Sequence, residues 1–199
     1  MPGGAQATFN SDSAFSGALP KLLSIPPERI TPRAGRFAHW IDTPIGALIA
    51  IADDSALNIL EFPERRALPG EVKKLLGAHG TLRIGANAVI DQAAHAMELY
   101  FSGQDPGLDM PIAPRGTPFE HRHWDALRKI PIGRTRSYAA MAEALGTGPR
   151  AVGRANGANP IAIAVPCHRL VASDGALTGY GGGLWRKRWL LDHEAKHFL

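Results

Sequence analysis

A single cysteine, Cys167, stands among 199 residues, and that scarcity narrows the folds open to the chain before any other feature does. One thiol can close no intrachain disulfide and complete no multi-cysteine metal site, so the structure must rest on an apolar core. With 45% hydrophobic residues the chain has the material for one. The thiol itself is left for packing, redox sensing or nucleophilic chemistry. It lies in Val165-Pro166-Cys167-His168-Arg169, after the apolar, partly β-branched run 161–165, which Pro160 and Pro166 bound. That pattern predicts a short buried strand that surfaces into a turn at the cysteine. His168 beside the thiol moves the reading from a small buried hydrophobe to a nucleophile.

No apolar run approaches the roughly 18 residues a bilayer requires. Residues 1–35 carry scattered Gly, Ser, Ala and Pro, without the basic start and continuous apolar stretch of a secretory signal, so a cytoplasmic location is expected. A net charge of +4 and a sequence pI near 9.5 favour a polyanionic partner only mildly.

The pattern along the chain predicts an α+β protein with a flexible tail over residues 1–35 and an N-terminal α/β subdomain over 36–104. A breaker-rich linker over 105–117, with Pro106, Gly107, Pro111, Pro114 and Gly116, leads to a C-terminal subdomain over 118–199. Segments 36–41, 47–52 and 56–62 form a small antiparallel meander, and 87–101 a helix with Ile90, Ala93, Met97 and Tyr100 at helical spacing. In the second half Thr117-Pro118 opens a helix that Pro131-Ile132-Gly133 ends. Ser137 caps a helix over 138–145, Gly146-Thr147-Gly148 turns the chain, and Pro149 starts another over 150–156. Two short helices joined by a Gly-containing turn read as a helix-turn-helix. The small Ala151 and Gly153 between Arg150 and Arg154 would let a backbone approach DNA, with the two arginines one turn apart on one face. A tight helix-helix contact explains the small residues equally well, and both can hold on opposite faces.

Beyond the cysteine, Thr178-Gly179-Tyr180-Gly181-Gly182-Gly183 forms a loop whose glycines would let backbone approach something flat. In the last helix Glu194 follows Leu190 and Leu191 by four and three residues, so a carboxylate falls on the face that should be buried and needs a partner. His168 is the natural one, giving a relay of Cys167, His168 and Glu194. His121-x-His123 reads as a solvated helix face, and no metal site is expected.

Taken together, Pro166-Cys167-His168-Arg169, preceded by Arg150-Ala151-Val152-Gly153 and Asn159-Pro160 and followed by Gly179-Tyr180 and Leu190-Leu191-x-x-Glu194, resemble the O6-alkylguanine-DNA alkyltransferases. The likeness runs closely from about residue 116 to 194. It implies a ribonuclease H-like N-terminal subdomain and a helical DNA-binding subdomain. It also implies stoichiometric, irreversible transfer of an alkyl group from guanine O6, or from thymine O4, in duplex DNA to Cys167, without a cofactor, by a monomer working from the minor groove. On the same basis Glu194 would orient His168, which accepts the thiol proton, and the Tyr138 hydroxyl would assist departure at guanine N3. The Gly181 amide would donate to O6. The carbonyls of Cys167 and Leu170 would accept the exocyclic amine, Tyr180 and Val165 would belong to the base pocket, and Asn159 would brace the active-site segment. Arg150 would fill the stack vacated by the flipped base, with Ala151, Gly153 and Arg154 on the DNA. The connection between Gly146 and Arg150 is shorter than is usual in that family. Two other classes fit parts of the pattern: a cysteine hydrolase, which would turn over repeatedly, and a redox-responsive helix-turn-helix regulator, which would bind a specific sequence and oxidise reversibly. Neither accounts for Tyr138, Arg150, Asn159 and Glu194 together.

Overall fold

The computed structural model describes Phe9, residues 11–104 and residues 108–199. The remaining parts of the expected tail and linker, residues 1–8, 10 and 105–107, lie outside the described residues. The chain divides into two compact units, one made of Met1–Glu98 with Met110–Arg115 and the other of Leu99–Asp109 with Gly116–Leu199. The expected linker is therefore split: Met110–Arg115 belongs to the first unit, where the Leu57 amide donates to Pro111 and the Ala113 amide donates to Leu57.

The first unit is built on a four-stranded sheet of order β3-β2-β1-β4. β1 (Phe37–Ile41), β2 (Leu48–Ala52) and β3 (Leu57–Glu61) form the expected antiparallel meander. The turn between β2 and β3 is set by Asp53, whose Oδ1 accepts from the Ser55 and Ala56 amides at 3.0 Å each. β2 and β3 are buried along their whole length, so Leu-Ile-Ala-Ile-Ala reads as a continuous apolar run rather than an alternation. β4 (Arg83–Ile84) adds on parallel to β1. The sheet is thus mixed rather than purely antiparallel, because two residues of edge strand leave no periodic signal.

The tail expected over residues 1–35 does not hold for its described part. Ser11 caps α1 (Asp12–Leu23), accepting from the Ala14 amide at 3.2 Å. Phe15, Leu19 and Leu23, four residues apart and so on one face, are fully buried in a cluster with Ile49, Ile51 and Ile59 of the sheet. Val72, Leu75 and Leu76 of α2 (Leu68–Leu76) complete that cluster. α3 (Ala88–Ser102) starts where the Asn87 side chain accepts from the Ile90 amide, and it contains the boundary between Glu98 and Leu99.

The second unit holds the expected helices. Thr117 and Glu120 form a reciprocal capping box at the start of α4 (Pro118–Arg128). α5 (Tyr138–Ala144), capped by Ser137, and α6 (Pro149–Gly157) form the helix-turn-helix around Gly146, whose φ of 62° only glycine adopts freely. α4 packs on the buried face of α6, where Trp124 donates to the Ala155 carbonyl at 3.0 Å. β5 (Arg136–Ser137) pairs in parallel with β6 (Leu170–Val171), and α7 (Leu184–His197) closes the unit. Among the described residues no helix is long and apolar enough to cross a membrane.

Candidate active site

Run 161–165 is buried as expected, yet it is not a strand. It is a compact turn in which Ile163 takes a left-handed φ of 69°, a conformation that costs a β-branched residue roughly 1–3 kcal/mol. Asn159 holds the turn in place. Its Nδ2 donates to the carbonyls of Ile161 at 3.1 Å and Val165 at 2.9 Å, while its Oδ1 accepts from the Ile161 amide at 3.0 Å. A side chain that replaces three strand hydrogen bonds explains why a β-like sequence bends here. The bend delivers Cys167 at the head of a single 3-10 turn, Cys167–Arg169.

Cys167 lies on the wall of a cavity of about 540 Å³. Tyr138 of α5, Arg150 and Gly153 of α6, and Tyr180 and Gly181 of the glycine loop share that wall. The shortened connection before α6 therefore still brings Arg150 to the cavity. Arg150 and Arg154 are both exposed, but Arg154 and the half-buried Ala151 do not line the cavity. Val165 and Leu170, expected in the base pocket, are fully buried and are not among the residues that line the cavity. The Leu170 carbonyl, the group expected to meet the base, accepts from Lys187 and keeps a second lone pair.

Behind the cysteine sits a dense buried charge cluster. His168 Nε2 is 2.7 Å from Glu194 Oε1, and both residues are fully buried. Arg169, unforeseen in the sequence, donates to the same carboxylate from Nε at 2.9 Å and Nη2 at 2.9 Å, and from Nη1 to the Ile130 carbonyl at 2.7 Å. The Tyr100 hydroxyl at 2.8 Å and the Gly133 amide at 3.0 Å complete the donors around Glu194. Burial alone would raise the Glu194 carboxyl, but the hydrogen bonds and charges of His168 and Arg169 outweigh it and hold the group well below the usual carboxylate range. Burial, joined by the charges of Arg169 and Lys187, lowers His168 against the hydrogen bond and charge of Glu194, and the net shift is downward. A neutral imidazole whose Nε2–H donates to Glu194 keeps a lone pair on Nδ1, which has no hydrogen-bond partner among the described residues. That nitrogen is the basic site of the imidazole that follows Cys167 directly in sequence.

Two more unforeseen residues shape the cavity. Asn156 donates to the Tyr138 hydroxyl at 3.3 Å and to the Cys167 carbonyl at 3.4 Å. Burial, and then the nearby Cys167, raise the Tyr138 hydroxyl, so it stays protonated and available as a donor. Lys187 is fully buried, donating to the carbonyls of Leu170 at 2.5 Å and Thr178 at 2.7 Å, with its ammonium 5.8 Å from the Tyr138 ring centroid. Burial lowers it to about 8, against a pull upward from Cys167. Its place three and seven residues before Leu190 and Glu194, on one helical stripe, is the signal that could have found it.

His121 is exposed, whereas His123 is fully buried, with Nε2 3.4 Å from Asn156 Oδ1. The solvated face expected for both holds only for His121. Among the described residues no group of three or more His, Cys, Asp or Glu could hold a metal ion.

Fold and site together define a class: a helix-turn-helix protein whose one thiol, backed by a histidine–glutamate pair, opens onto a cavity edged by the second helix of the motif. Comparison with known proteins fixes the family within it. Residues 118–196 match the sequence profile of the 6-O-methylguanine DNA methyltransferase, DNA binding domain. The methylated-DNA–protein-cysteine methyltransferase of Mycobacterium bovis is 44% identical over 157 residues, covering 77% of this chain and 89% of the relative. That of Salmonella typhimurium is 41% identical over 165 residues, covering 77% and 92%. The crystal structure of Mycobacterium tuberculosis OGT in complex with DNA aligns with a TM-score of 0.68 at 42% identity, over 81% of this chain and 94% of that one. The chain belongs to the methylated-DNA–protein-cysteine methyltransferase family.

Proposed function

We propose that this chain repairs DNA by taking the alkyl group from O6 of guanine in a duplex onto Cys167, once per molecule. The observation that carries the reading is the juxtaposition of Cys167, on the wall of a base-sized cavity, with the buried His168–Glu194 pair at 2.7 Å. His168 takes the thiol proton on Nδ1. The thiolate attacks the alkyl carbon, a carbon–sulfur bond forms, and the carbon–O6 bond breaks with its electron pair passing to guanine. Guanine takes a proton at N3 from the Tyr138 hydroxyl, which recovers one from solvent as His168 releases its own. Gly181 lies on the cavity wall, and its amide donates to O6. A base in a duplex reaches such a cavity only when flipped, and Arg150, exposed at the cavity edge, fills the gap from the minor groove. The protein acts as a monomer, since each copy carries the whole set of reacting groups.

Intact-protein mass spectrometry after mixing with an oligonucleotide containing O6-methylguanine tests this. One methyl on Cys167 and never more than one event per chain is the expected result, and Cys167→Ser should bind the oligonucleotide without gaining mass. Repeated turnover, or label on another residue, would overturn the mechanism.

A further inference from the structure

The second unit has a concavity that the alkyl-transfer reading does not use. It encloses about 250 Å³ and is lined by Lys129, Ile130, Pro131, Arg134, Thr135 and Arg136. Its three cationic residues are exposed, and their side chains make no hydrogen bond or ion pair among the described residues. Arg128, one position away, differs because it is paired with Asp109 at 3.0 Å. Three uncompensated like charges around one hollow repel each other and gain only when an anion enters.

The hollow is also preformed. Its loop is fixed from beneath at two points, where the Ile130 carbonyl accepts from Arg169 at 2.7 Å and the Gly133 amide donates to Glu194 at 3.0 Å. Gly133, at a φ of 74°, makes the turn that allows this. The carboxylate that orients His168 thus also sets the shape of the basic hollow. Arg136 connects the hollow to the reaction cavity: it pairs with Leu170, three residues after Cys167, and stands two residues before Tyr138. The charge of the chain follows the same division, with twelve of the 22 Lys and Arg but only six of the 18 Asp and Glu in residues 118–199.

We propose that Lys129, Arg134 and Arg136 form a phosphate-gripping groove that holds the duplex backbone flanking the flipped nucleotide, apart from the helix-turn-helix. The proposal rests on the DNA-repair reading above. Each phosphate neutralised releases counterions, so log affinity should fall with log salt at a slope proportional to the number of phosphates gripped.

The test is the triple variant Lys129→Gln, Arg134→Gln and Arg136→Gln, titrated with long duplex DNA at several salt concentrations. The slope should become shallower by about 2 to 3, at roughly 0.9 for each phosphate that is no longer neutralised. Transfer from the free alkylated base, which has no phosphates, should keep its wild-type rate, and the exposed substitutions should leave the thermal melt in place. An unchanged salt slope on long duplex would overturn the groove, as would an equal loss of transfer from the free alkylated base. Should the wild type itself fail to transfer from either substrate, the repair reading falls instead, so the two failures are distinguishable.

Discussion

The two units bury different materials. In the first, Phe15, Leu19, Leu23, Ile49, Ile51 and Val72 form an apolar cluster, and among the described residues its buried charge is confined to Arg65 with Glu61 and Glu71 at 3.1 and 2.7 Å. In the second, the fully buried Glu194, His168 and Lys187 lie in or around the reactive turn, with Arg169 and Asn156 only slightly exposed. An apolar core stabilises in proportion to area and tolerates volume-conserving change. A buried ionic network gives little net stability, but removing one member strands the others. The second unit gives up net stability to fix Cys167, His168 and Glu194 in one arrangement, while the first rests mainly on buried apolar area.

Glu194→Gln should break that contrast most sharply. The amide cannot balance Arg169 or orient His168 as a carboxylate does, so single-turnover alkyl transfer should slow by roughly 10²- to 10⁴-fold. Stability should fall by about 3–5 kcal/mol through the stranded Arg169. Rates measured well below the melting temperature separate the two losses. A folded variant with the wild-type transfer rate would reduce Glu194 to a structural tie.

Leu19→Ala sharpens the contrast from the other side. The substitution empties a fully buried position on α1 and should cost about 2–5 kcal/mol by chemical denaturation, with no change in the rate of transfer from free alkylated base. A slowed reaction in a folded Leu19→Ala protein would mean that the first unit tunes the chemistry.

The sequence disclosed these regions unequally, for physical reasons. Glu194 was legible because a carboxylate on the Leu190 stripe violates the apolar pattern, and Ser137, Pro149 and Thr117 mark helix starts through local chemistry. α1 was hidden: Phe15, Leu19 and Leu23 have helical spacing, but Gly17, Pro20 and the surrounding serines resemble a tail. Run 161–165 misled because its composition suits a strand, whereas Asn159 supplies the hydrogen bonds that bend it. Arg169 and Lys187 escaped for a third reason. A cation looks like a surface residue until its partners are known, and theirs lie 25 and 17 residues away in the chain.

The smallest expected effect concerns pH. Burial lowers both His168 and His123 from the ordinary 6.5, and both belong to the second unit. Below pH 6.5 the unfolded chain takes up protons that the folded unit refuses, so the unfolded state binds more protons and stability falls as pH falls. The contribution is present in full above 6.5 and declines toward the lowered folded values, by at most about 1.4 kcal/mol per pH unit for each histidine. Glu194 acts in the same direction further down: held below its ordinary 4.5, it contributes stability above that value which is lost as pH drops beneath it. Burial raises Glu71, in the first unit, above 4.5, so acidification through that region favours the folded form there. Hydrogen exchange, followed segment by segment from pH 7 to 5, should therefore show protection falling faster in α4–α7 than in β1–β3. His123→Leu removes one of the two histidines without touching the Glu194 network, so it should flatten that decline in the second unit alone. Equal loss of protection in both units, or a decline that His123→Leu leaves unchanged, would show that the buried histidines do not set the acid sensitivity of the reactive half.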